Sequence, residues 1–302
     1  MSSNEPIRRE RNLHRRLALA SLAVATVSLG HGALAAEPDL LADYFAHWFE
    51  RVDRVQDSQP HWATPLATTT PRITEQFRYD EAYEQLPGGA HLQIHENGKG
   101  LDLIPWDDVG VMLGVPPHDV RTNVKPAQGW GDWPFFRIKY RIANANEANG
   151  NYIVTAYVQA TAPTGVSAFT NRAYALNPTL AFGKGWGDFD IQTTIGQNLP
   201  LGNVSTIGHS LAWNMALQYR LWRIWWPELE INDTYWEDGP RGGKNQLLMT
   251  AGLVVSRIPL AGRTSLTVGA GYQFAVSPAP SPAPAPVPTL NRALLITTHL
   301  TF

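Results

Sequence analysis

Side chains along a β-strand point alternately to opposite faces, and this chain repeats that two-residue period in segment after segment. Over 263–276, Leu266, Val268, Ala270, Tyr272, Phe274 and Val276 share one face; Arg263, Ser265, Thr267, Gly269, Gly271 and Gln273 share the other. Over 210–221, Leu211, Trp213, Met215, Leu217, Tyr219 and Leu221 oppose Ser210, Asn214, Gln218 and Arg220. Residues 290–302 set Leu290, Leu294, Ile296, Leu300 and Phe302 against Asn291, Thr297, His299 and Thr301. Arg292 departs from the apolar face, which is tolerable near a membrane interface where a charge costs little. A period of two demands a sheet, but it does not choose between a soluble sandwich and a membrane barrel.

The connections choose. The pattern predicts about twelve strands, at 72–83, 90–95, 101–106, 133–144, 151–161, 173–183, 187–198, 209–221, 225–236, 246–258, 263–276 and 290–302. Alternate links are short, at 96–100, 145–150, 183–187, 222–224 and 259–262. The intervening links are longer, at 105–131, 162–172, 199–208, 238–244 and the proline-rich 277–289. Short turns at one end and long loops at the other mark bacterial membrane barrels, whereas a sandwich has no reason to sort its loops. The expected fold is therefore all-β: an antiparallel transmembrane β-barrel of about twelve strands with a short N-terminal helix.

Arg8, Arg9, Arg11, Arg15 and Arg16 precede an apolar run from 17 to 29, and Ala33-Leu34-Ala35 fits a small-x-small cleavage site. Residues 1–35 thus read as a secretory signal peptide, too short in its apolar run for a membrane span. Residues 36–71 hold the helix, with Leu41, Phe45, Trp48, Phe49 and Val52 on one face, and a Thr- and Pro-rich connector over 61–71. Packing against the periplasmic rim is the preferred place for this helix, a lumen plug the alternative. Residues 72–302 form the barrel. Removing five arginines, Glu5 and Glu10 from 24 basic and 26 acidic residues leaves 19 against 24, a net charge of about −5 that disfavours nucleic-acid partners. Trp222, Trp225, Trp226, Tyr235 and Trp236 fit two aromatic girdles at the membrane interfaces.

If apolar positions face lipid, the opposite register lines the interior. Arg78, Arg137, Lys139 and Arg141 come from early strands; Asp188, Asp190, Gln192, Asn214, Gln218, Arg220, Glu228, Glu230 and Asn232 come from later ones. Such a bipolar lumen either fills itself with ion pairs or orients a polar or anionic solute. No cofactor is implied. The chain has no cysteine, and His91 and His95, four apart on a strand, stand roughly 13 Å from each other. His209 and Ser210 are adjacent on a strand and point to opposite faces, which argues against a hydrolase relay and against an enzyme.

Gly129-Trp-Gly-Asp132, the strand 135–142 with Lys139-Tyr140-Arg141, and Pro163-Thr164-Gly165 follow one another in order, with Asn177-Pro178-Thr179 and Gly183-Lys-Gly185 beyond. This series resembles the outer-membrane family associated with the MetA pathway of phenol degradation, over roughly residues 70–302. The resemblance implies a transporter-like barrel for small hydrophobic or aromatic molecules. The closing strand with its terminal Phe302 likewise resembles the signal that the barrel-assembly machinery reads. Long 105–131 and the proline loop depart from the family pattern. The second Gly-Trp-Gly-Asp, at 185–188, favours a repeated turn device over two binding sites. The expected partners are the outer-membrane bilayer of a Gram-negative cell, the assembly machinery and a small solute. Two functions compete: a channel or uptake pore, and a structural or adhesive barrel acting through its outer loops.

Overall fold

The computed structural model describes residues 40–302, so the signal peptide expected over 1–35 lies outside the described residues. The chain divides into two units, 1–45 and 46–302. The first contributes most of α1 (Leu40–Ala46), on which Leu40, Leu41 and Phe45 are exposed and the Tyr44 and Phe45 rings meet edge-on at 5.2 Å. α2 (Trp48–Ser58) belongs to the second unit. The single expected helix is thus two, interrupted at His47.

The second unit is a closed antiparallel barrel of twelve strands. Nine are single segments: β1 (Gln76–Gln85), β8 (Tyr152–Ala162), β9 (Ala175–Trp186), β10 (Phe189–Pro200), β11 (Ser210–Tyr219), β12 (Trp225–Trp236), β13 (Lys244–Pro259), β14 (Ser265–Ser277) and β15 (Arg292–Thr301). Three are made of two pieces each: β2 (His91–His95) with β3 (Gly100–Trp106), β4 (Val109–Gly114) with β5 (His118–Thr122), and β6 (Ala127–Trp130) with β7 (Trp133–Ala145). β2 and β3 both run antiparallel along β1, His95 opposite Glu81 and Gly100 opposite Arg78. β15 closes the ring on β1 from Gln76↔Thr301 to Gln85↔Arg292.

Two expectations are corrected here, and they compensate. The segments expected as separate strands at 90–95 and 101–106 are halves of one strand, and 96–100 is no turn between strands. Asn97-Gly98 does form a turn, with Lys99 N–H donating to Glu96 O at 3.3 Å, but as a bulge inside the strand. The missing strand lies in 105–131, expected as a loop. β4 places Val109, Val111 and Leu113 on the outer face, but Gly110 and Gly114 occupy the inner register, so no polar alternation shows. Pro116 and Pro117 then break the ladder because they donate no amide.

Short turns at 107–108, 146–151, 187–188, 220–224 and 260–264 lie at one end, the periplasmic end in barrels of this kind. α2 packs there. Val52 and Val55 bury against Ile73 and Ile104 with Trp48 beside them, while Arg54 reaches Asp107 at 2.7 Å and Arg263 reaches Asp53 at 2.5 Å. The expected rim position of the helix is the observed one for α2. The outer wall is apolar: Phe77, Ile138, Tyr140, Leu180, Phe182, Ile195 and Ile296 are all exposed, Tyr140 by 55% and Leu180 by 57%. The inside is polar, with Arg78, Asp80, Lys139, Gln192, Gln218, Glu230, Thr250 and His299 all buried. Water would reject such an outer surface, and a bilayer solvates it. No helix among the described residues is long and apolar enough to cross a membrane.

Aromatic placement corrects one further expectation. Trp222, Trp225 and Tyr235 are exposed on the outside, but Trp226 and Trp236 are buried on the inner register. Strand neighbours cannot share a face, so adjacent tryptophans divide between girdle and lumen. The proline loop is largely exposed through Pro286, as expected; Ser281 exchanges two hydrogen bonds with Asn291, and Gln246 bonds Thr289 and Leu290 at the loop's end.

A stoppered lumen as the candidate functional site

The connector, read from sequence as a Thr- and Pro-rich link between helix and barrel, occupies the barrel interior. Residues 59–75 leave α2 at the periplasmic end and thread the lumen before entering β1. An extended segment free of helix or strand carries unpaired amides and carbonyls that must find partners when buried. The wall supplies them by charge. On the acidic side, Glu228 accepts from Leu66 N–H at 3.1 Å, and Glu230 accepts from Ala67 and Thr68 N–H at 2.8 and 2.5 Å. On the basic side, Lys139 donates to Thr70 O and Arg72 O at 2.7 and 2.8 Å, and Arg78 to Pro65 O and Leu66 O at 3.2 and 2.8 Å. Gln192 joins the two, accepting from Thr70 Oγ1 at 2.7 Å and donating to Ala63 O at 2.9 Å.

Two apolar side chains seat the plug. Trp62 and Leu66 cluster with Ile153, Trp226 and Val254 from the wall. A β-carbon at Gly183 or Gly185 would collide with Trp62, and one at Gly252 or Gly271 would collide with Leu66. These glycines lie on the inner register and form recesses for the plug, which corrects the reading of Gly183 and Gly185 as turn residues. Only Gly187, at φ +62°, serves the turn itself.

The other expected lumen residues fall into two groups. Arg137 contacts Asp102 at 3.3 Å; Arg141 donates to Val55 O, Ser58 Oγ and Asp107 O; Asp190, Gln192, Gln218 and Glu228 bond in sequence around the wall. Asn214 and Asn232 bond one another at 3.0 Å. Asp188 stands apart as a correction: it is exposed in the 187–188 turn and pairs with Arg220 at the rim, because the turn removes it from strand alternation. Sequence reasoning missed Asp80, which accepts from Arg78 on its own strand and from Thr297 across the closing seam, and Arg72, which donates to Trp62 O at 2.6 Å. Five inner-register glycines on β9, β13 and β14 were the available signal for the plug, since glycine inside a strand marks close approach of other chain.

At the rim, Glu147 accepts from His61 N–H at 2.7 Å and meets His61 Nδ1 at 2.9 Å. Burial pushes its carboxyl up, but the His61 side-chain and main-chain bonds outweigh that and hold it at about 2. At the opposite end His209 meets Asp238, not Ser210, which is buried on the inner face. His91 and His95 sit at the two ends of β2, His95 against Glu81 at 3.2 Å, and no group of three or more ligating side chains could hold a metal among the described residues. The resemblance motifs also meet: Asp132 accepts from Gly165 and Asn171 N–H, so the second glycine-bearing motif closes on the first. An apolar groove of about 560 Å³ lined by Ile138, Tyr140, Val158, Pro178 and Leu180 lies on the lipid side, away from this network.

No family model matches the chain, and no curated protein does. Among solved structures it is similar to an outer membrane channel from Pseudomonas putida F1, with 14% identity, a TM-score of 0.50, and coverage of 76% of this chain and 96% of that one. It is also similar to the NanC porin, with 8% identity, a TM-score of 0.49, and coverage of 75% and 98%. At 14% identity the first likeness is one of fold, and the fold is that of an outer-membrane β-barrel.

Proposed function

We propose that this chain is an outer-membrane channel for small molecules, closed at rest by its own residues 59–75. One observation carries the reading: the plug is held chiefly by hydrogen bonds to charged and amide side chains, and water can replace every one of them. A hydrogen bond exchanged for water changes stability by only about 1 kcal/mol between neutral groups and about 1.5–3 kcal/mol where one partner is charged. A plug sealed by a continuous apolar core would have no such route out. Vacated, the lumen lined by Arg78, Arg137, Lys139, Arg141, Asp190, Gln192, Gln218, Glu228 and Glu230 would hydrate and face the solute, with Asp188 and Arg220 at its periplasmic mouth.

The solute class follows the resemblance to the phenol-degradation family: small hydrophobic or aromatic molecules. Export by the leader at 1–35 and insertion by the barrel-assembly machinery through the closing strand complete the reading. A structural or adhesive barrel is the second reading, favoured by the filled lumen and by the exposed loop 278–286. Planar-bilayer conductance of purified protein separates them. Removing 36–71 behind the leader should turn rare or small openings into large, steady steps. A truncated barrel that inserts and stays silent would leave the structural reading. A deletion strain with unaltered growth and uptake on aromatic carbon sources would remove the solute class while leaving the channel.

A further inference from the structure

We infer that the lumen wall beside the plug holds a binding site for one monatomic anion, chloride in ordinary media. A cavity of about 20 Å³ opens between β1, β3, β7 and the plug, lined by Arg78, Lys99, Arg137 and Lys139, with Asp102 as its carboxylate. That volume suits a single water-sized body and excludes a phosphate or a carboxylate. Gly100 also lines it, standing opposite Arg78 on β1 and Gly114 on β4.

The charges around it cancel only in part: Arg78 pairs with Asp80 and Arg137 with Asp102, while Lys99 and Lys139 have no carboxylate bonded to their ammonium groups among the described residues. Asp102 already accepts from Thr74, Gln76 and Arg137, and Asp80 is bound to Arg78 and Thr297. Lys139 is turned to plug carbonyls. Arg137 spends one N–H on Asp102, and the rest of its fork has no acceptor among the described residues. Lys99 is carried inward by the 96–99 bulge, and its Nζ has no hydrogen-bond partner among the described residues; Glu96 bonds the Lys99 main-chain amide instead. Counting Asp80 and Glu96 beside Asp102, four cations meet three carboxylates, and the one positive charge left over in a poorly solvated pocket favours an anion over water, which offers an acceptor but no charge. From the plug, Thr64 and Thr69 present hydroxyls that have no partner among the described residues. The anion therefore bridges wall to plug, and its binding favours the closed lumen.

Bromide is the probe. Crystals of the full chain in detergent, grown with sodium bromide in place of chloride, should show an anomalous peak between Lys99 Nζ and the Arg137 guanidinium. Lys99→Met should abolish it and Lys99→Arg should retain it. In solution, amide exchange over 62–72 should slow by about threefold when chloride replaces gluconate at equal ionic strength, as expected when an anion at twice its Kd binds only the closed form. That difference should vanish in Lys99→Met. No peak, a peak indifferent to Lys99→Met, or exchange that ignores chloride would overturn the site. None of these results depends on conduction.

Discussion

At the scale of single residues, the lumen network separates groups that satisfy the plug from groups that seat it. Glu230 satisfies two plug amides at once, those of Ala67 and Thr68. Glu230→Ala strands both, at about 1–3 kcal/mol each before water enters, so amide exchange over 66–68 should accelerate sharply while the barrel stays folded. Trp62 seats the plug in the recess made by Gly183 and Gly185. Trp62→Ala should weaken plug retention by up to about 3–5 kcal/mol, and Gly183→Leu should expel the same ring from the other side. Both should raise open probability in bilayers without altering heat-modifiability on gels. Glu147 gives the pH dependence. Its folded pKa of about 2 lies below the ordinary 4.5, so its tether to His61 is fully present above that ordinary value and is lost as pH falls towards 2. Protease access to the 59–61 segment should therefore rise on acidification across that window, and Glu147→Gln should show high access at all pH.

At the scale of elements, what sequence revealed depended on whether the inner register carried polar side chains. β14 and β15 were legible because Thr267, Gln273, Thr297 and His299 alternate with apolar residues. β4 was not, since Gly110, Met112 and Gly114 fill its inner positions and make the segment read as uniformly apolar. The bulge at 96–99 imitated a turn because an Asn-Gly pair marks tight turns; Gly98 does take positive φ, as does Glu96 just before the pair. The plug segment itself was opaque for another reason: an extended segment without periodicity satisfies its backbone through distant side chains, so its trace lies only in the inner-register glycines of β9, β13 and β14. The proline loop has no share in the ladder and meets the rest of the barrel over 279–286 mainly through Ser281 on Asn291 and Pro286 O on Arg241, so deleting 279–286 should leave barrel yield unchanged and thermal stability within about 2 kcal/mol of the parent. Altered conductance in that variant would show that the loop restricts the mouth.

At the scale of the whole molecule, the chain inverts the usual arrangement, with apolar residues around the circumference and a hydrogen-bonded interior. The overall fold class was legible for that reason, because the bilayer imposes the period on every strand at once. The filled lumen was not, because sequence alternation fixes which side chains point inward and says nothing of what they meet. The absence of native cysteine makes both points open to one measurement. Nitroxide labels placed singly along β15 in lipid vesicles report collision with oxygen, which partitions into lipid, and with a water-soluble nickel chelate. Positions 294, 296, 298 and 300 should be oxygen-accessible, whereas 297 and 299 should be shielded from both reagents by the plug. Nickel access at 297 and 299 equal to that of an open aqueous pore, or oxygen access without a two-residue period, would contradict the account.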